Sequence, residues 1–124
     1  MAIDVREVGT RRDLKTFIYL PEKIHRGHGN WVHPIYMDEW KYFDPKKNKA
    51  FGYCQTILLL AFRDGRPVGR IMGIINTRFN EYRKENLGRF GFLETWEDQE
   101  AVHALLGRVE EWARGLGMTR IVGP

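Results

Sequence analysis

Carboxylates crowd one short stretch of this chain, RFGFLETWEDQEAVHALL (residues 89–106), at Glu94, Glu97, Asp98 and Glu100. A carboxylate at the end of a strand can take a proton from an amine, directly or through a water, if it is held in place. At the start of a helix the same side chains do something plainer and accept the unpaired N–H groups of the first turn. Such a turn is also where many α/β proteins hold phosphate, using free N–H groups and glycines that let the backbone approach the ligand. Here no glycine follows Gly91 until Gly107. Thr95 or Asp98 can cap the helix, so a self-capped helix is favoured over a phosphate cradle. Glu94 has two readings, a general base and a solvent-facing strand end.

Three histidines, His25, His28 and His33, raise the question of a metal. Their spacing falls in a glycine-rich loop rather than on one helix face, and no cysteine is near, so no metal site is expected. Aromatic residues from Trp31 through Tyr36, Trp40, Tyr42 and Phe43 to Phe51 and Tyr53 interleave with Lys41, Lys46, Lys47 and Lys49. Packing onto a sheet is the first reading of these rings, a substrate groove the second, and base stacking in nucleic acid the third. Arg70, Arg78, Arg83 and Lys84 are anion contacts or simply solvated charges. His103 sits on a helix surface.

The elements that must position these groups are legible in the periodicity. Residues 3–8 alternate as a half-buried strand. Thr10 caps a helix over 11–20, which Pro21 closes, with a short further turn to His25. After the RGHGNWVHP loop, IYMDEWKYF forms a brief helix. Residues 56–62 are a continuous apolar strand, and Asp64-Gly65 returns it as a hairpin through 67–76, because both central turn positions must tolerate positive φ. Residues 77–88 read as an exposed connection, 89–93 as another strand, and 97–117 as an amphipathic helix stopped by a left-handed Gly117. A last strand covers 118–122.

The order is β-α-α-β-β-β-α-β, an α/β (α+β) fold with a mixed, mainly antiparallel sheet and helices on both faces. At 124 residues and 43% hydrophobic composition the chain makes one domain over residues 1–124 with a single substantial core. No run approaches the ~18 apolar residues of a membrane span. The N-terminus MAIDVREV lacks an apolar signal region. The single cysteine, Cys54, rules out an internal disulfide, fits a reducing cytoplasm, and is expected to be a small buried hydrophobe. The net charge of +4 favours anionic ligands without choosing among CoA, nucleotides and nucleic acid.

This order resembles the first part of the GNAT superfamily of N-acetyltransferases. The hairpin ILLLAFRDGRPVGRIMGIIN resembles its second and third strands. The series NWVHP, FDPKKN, GRPVGRI, FGFLE, DQEAVHALL and EEWARGLGMTRIVGP resembles a branch of longer bacterial GNAT-like proteins. The resemblance implies acyl transfer from acetyl-CoA or another acyl-CoA to an amine. It places the cofactor along Phe92, Leu93, Glu94, Thr95 and Trp96, with the thioester arm at Phe92 to Glu94 and the pyrophosphate near the loop from Thr95 to Asp98. It makes Glu94 the candidate base, and borders the acceptor with Trp31, Tyr36 and Trp40. In that family a glycine loop grips the pyrophosphate, and the fold continues past the fifth strand. Here Thr95-Trp96-Glu97-Asp98 stands at the loop position and the chain stops at Pro124. The domain is therefore expected to be incomplete on its C-terminal side. The alternative is a non-catalytic binding or assembly module that dimerises through an open sheet edge, with a nucleic-acid binder third.

Overall fold

The computed structural model describes residues 2–124. Five strands form one sheet in the order β1-β2-β3-β4-β5: β1 Ile3–Glu7, β2 Cys54–Arg63, β3 Arg66–Asn76, β4 Leu87–Thr95 and β5 Arg120–Val122. β1 to β4 pair antiparallel in sequence, and β5 joins β4 in parallel. The hairpin turn is the expected one, with Asp64 at φ 53 and Gly65 at φ 77.

Helices α1 Arg11–Ile24 and α2 Tyr36–Tyr42 cover one face, and α4 Gln99–Gly115 covers the other. Side chains of the central strands alternate between the two. Leu60 and Met72 pack with Phe17, Ile18, Leu20, Ile24 and Phe43. Leu59, Ala61 and Ile71 pack with Ala101, Leu105 and Val109. β2 is buried on both faces, which is why it reads as an unbroken apolar run. Phe17 is wholly buried, so truncating it to alanine would cost about 3–5 kcal/mol.

Two local expectations are corrected. Helix α1 does not end at Leu20; it runs through Pro21 to Ile24, with Pro21 buried. Proline lacks the N–H that would bond the carbonyl of Phe17, and that carbonyl instead receives Nη1 of Arg70 at 2.9 Å. Residues 77–88 are not merely a connection, for α3 spans Thr77–Arg83. Asn76 caps it by accepting from the Phe79 N–H, and Lys84 stops it in the left-handed conformation. A short 3₁₀ turn at Lys49–Gly52 also escaped the periodicity. Cys54 is only partly buried, and that burial pushes its thiol pKa up. Among the described residues no helix is long and apolar enough to cross a membrane.

Candidate active site

The site is built around an irregularity in β4. Its ladder with β3 pairs Gly69 with Thr95 and Arg70 with Glu94, then skips to Met72 with Gly91. The extra residue is a bulge, and Phe92 takes a left-handed φ of 58 to accommodate it. A bulky residue there costs about 1–2 kcal/mol and persists only where its surroundings over-determine it. On the opposite side, β4 pairs with β5 only over Leu87, Gly88 and Arg89. Beyond that point the Phe90 ring lies against the backbone of Gly123, where an added Cβ would stand 2.5 Å from the ring. From Phe90 to Thr95 the strand is thus paired with β3 alone.

Arg70 holds the bulge. Its Nε donates to the Phe92 carbonyl at 3.1 Å, its Nη1 to the Phe17 carbonyl, and its guanidinium lies 4.9 Å from the Phe17 ring centroid. It is the buried charged residue among the described residues. Burial pushes its pKa down and the charge of Glu94 pushes it back. Arg70 is therefore not an anion contact: desolvation and two backbone carbonyls commit it to structure.

Glu94, Arg70's cross-strand neighbour, projects toward the end of α1. Its Oε2 meets His25 Nε2 at 2.9 Å, and His25 Nδ1 meets His28 Nδ1 at 3.0 Å. Trp31 stacks on the His25 ring at 5.3 Å between centroids and 17° between planes. His25, His28 and Trp31, but not Glu94, line a cleft of about 430 Å³ together with Glu22, Arg26, Val32 and His33. His25, considered above only as a metal ligand, is thus the carboxylate's partner and His28 is the partner of His25, while His33 bonds the carbonyl of Pro34. No local signal could have joined them, because His25 and Glu94 are 69 residues apart. Among the described residues no group of three or more His, Cys, Asp or Glu side chains converges as a metal site.

The start of α4 is the self-capped form. Asp98 accepts from the Ala101 N–H at 3.1 Å. Arg63 clamps the same carboxylate from Nε at 2.9 Å and Nη2 at 3.0 Å, and reaches Glu100 at 2.7 Å. The bond from Arg63, then that from the Ala101 N–H, holds the Asp98 carboxyl below the usual range. The Trp96 N–H is committed to the Val68 carbonyl. A diphosphate placed here would meet two carboxylates and a helix end already capped, so these residues do not fit that part of CoA. The unpaired β4 edge does fit an amide-bearing thioester arm.

The expected acceptor residues divide into two places. Trp31 belongs to the histidine cleft. Tyr36 and Trp40 pack against the core through Tyr19, by a 4.3 Å ring stack and a 3.2 Å bond from Trp40 Nε1 to the Tyr19 hydroxyl. The Tyr36 hydroxyl donates to Glu22 at 3.0 Å, and burial together with that carboxylate pushes its pKa up to about 12. Trp40 also borders a larger cleft of about 710 Å³ with Arg11, Lys41, Lys46 and Lys47. His103 is exposed on α4.

No family model matches the chain. It is 34% identical over 123 residues to a bacterial ceramide synthase of Caulobacter vibrioides, covering 98% of this chain and 32% of that protein. It is 29% identical over 120 residues to Protein YghO of Escherichia coli, covering 97% of this chain and 30% of that one. The chain thus spans about a third of the length of the curated relatives it matches. Among solved structures, it superposes with a TM-score of 0.71 on a tandem GNAT protein from the clavulanic acid biosynthesis pathway, at 14% identity, covering 98% of this chain and 36% of that one. The five-stranded mixed sheet with helices on both faces is the GNAT-like fold, and this chain has it.

Proposed function

We propose that the chain is an acyltransferase domain that moves an acyl group from a thioester, acetyl-CoA or another acyl-CoA, to an amine. Phe92, Leu93 and Glu94 would line the thioester arm and Thr95 and Trp96 the cofactor beyond it, with Trp31, Tyr36 and Trp40 toward the acceptor. The observation that carries the reading is Glu94, a carboxylate fixed beside the unpaired edge of β4. The amine, entering as ammonium, gives one proton to Glu94 and attacks the thioester carbonyl. A C–N bond forms as C–S breaks, and the second amine proton passes to the departing thiolate, which leaves as a thiol. Similarity to a ceramide synthase favours an amine on a long-chain amphiphile, since a ceramide is the amide of a long-chain amino alcohol.

The test is calorimetric titration of this chain with acyl-CoA and free CoA, followed by mass spectrometry of amine mixtures. Binding, amide formation and loss of product in Glu94→Gln are expected. The capped start of α4 favours a second reading, a non-catalytic module that assembles through the sheet edge at β5. No heat with either ligand, together with a dimer in sedimentation, would select it.

A further inference from the structure

Proton bookkeeping across Glu94, His25 and His28 has one solution when Glu94 is ionised and His25 is neutral. A carboxylate only accepts hydrogen bonds, so His25 Nε2 must carry a proton and donate to Oε2. A neutral imidazole then has a bare Nδ1, which must accept, so His28 Nδ1 carries the proton of the 3.0 Å contact. His28 Nε2 is left bare toward the cleft. Each tautomer is thus set by the next group along, as happens where a second residue orients a functional imidazole.

We propose that His25 and His28 are positioning residues for Glu94 and act with it as one unit. This rests on Glu94 being the base. His25 occupies Oε2, so the carboxylate presents Oε1 to the amine. His28, by donating to Nδ1, occupies the nitrogen on which His25 would take a second proton. A doubly protonated His25 would pair with Glu94 as an ion pair, stabilise the carboxylate and make it a poorer base. Trp31 stacked on the ring fixes the plane in which Nε2 meets Oε2. The charged and titratable groups around the unit are Arg70 behind Glu94, Glu22 and Arg26 at the end of α1, and His33 across the cleft.

The test uses the full chain with ¹⁵N-labelled histidine and, for the rates, whichever amine and acyl-CoA the mass-spectrometric screen proposed above identifies. In the wild type, ¹⁵N shifts show Nε2–H on His25 and Nδ1–H on His28. His28→Ala lets His25 protonate at higher pH, moving both its NMR titration and the acid limb of kcat upward. His25→Ala lowers kcat by about 10- to 100-fold, the range typical when a group orienting a functional ligand is lost, with KM for the thioester unchanged. His25→Gln, which keeps a donor near Nε2 but cannot ionise, restores most of the rate and flattens the acid limb. His103→Ala leaves all of these alone. An Nδ1–H tautomer on His25, or a His25 titration indifferent to His28→Ala, would overturn the proposal. So would a wild-type kcat in His25→Ala. If no amine is acylated, the function proposed above fails, while the tautomers and titrations still decide whether the three groups form a unit.

Discussion

Arg70 donates from Nη1 to the carbonyl oxygen of Phe17 at 2.9 Å, the carbonyl that Pro21 leaves without its helical partner. The same guanidinium donates from Nε to Phe92 at the β4 bulge. One buried cation thereby joins an interruption in α1 to an interruption in the neighbouring strand. His25 follows the end of that helix, and Glu94 lies two residues past the bulge, so Arg70 also fixes the two backbones between which the candidate site forms.

Replacing Arg70 by Met removes the donor from the buried Phe17 carbonyl, at about 1–3 kcal/mol, and from the part-buried Phe92 carbonyl, at less. In a Pro21→Ala background the restored N–H can bond Phe17, so the same replacement costs about 1 kcal/mol less. A double-mutant cycle in urea measures this coupling. Strict additivity of the two substitutions would show that Pro21 and Arg70 do not share the carbonyl.

Glu94→Gln keeps the size of the side chain and removes its basicity. The expected loss in kcat is about 10²–10⁴-fold, with acyl-CoA affinity unchanged in calorimetry. An equal loss of binding would assign Glu94 to the donor's grip rather than to proton transfer.

Gly73 lies where β3 passes under α4. A Cβ there would meet Trp112 Cζ3 at 2.8 Å and Ile57 Cγ2 at 2.9 Å. Both neighbours are held in the second core, so Gly73→Ala is expected to cost about 1–3 kcal/mol by overpacking. Gly107→Ala, with nothing within 4 Å of its Cβ position, serves as the comparison and should stabilise the helix slightly.

The clamp of Arg63 on Asp98 has a pH signature. Its folded-state carboxyl is depressed, so its stabilisation is present above the ordinary aspartate value of about 3.9. It is lost as pH falls through the lower folded value. Asp98→Asn should therefore lower Tm at neutral pH and flatten the fall in Tm below about pH 4. Parallel acid profiles for the two proteins, recorded by circular dichroism, would remove the clamp from the account.

The sequence by itself determined the five strands in their succession along the chain, the Asp64-Gly65 hairpin, the amphipathic α4 with its Gly117 stop and the choice of a cap over a phosphate cradle. Each follows from neighbours a few residues apart: apolar spacing, a turn that demands positive φ, a carboxylate three residues before the N–H it accepts. It also singled out Glu94. What it could not contain was Glu94's company. Pro21 reads locally as a helix stop, and only a buried arginine 49 positions later supplies the donor that lets the helix continue. His25 and His28 read locally as loop histidines, and only the packing of α1 beside the bulged β4 turns them toward the carboxylate. Hydrogen bonds between groups so far apart in the chain carry no periodicity. The tertiary structure alone decides them: burial obliges Arg70 and the Phe17 carbonyl to find partners, and the packing of α1 beside β4 brings the part-buried His25 to Glu94.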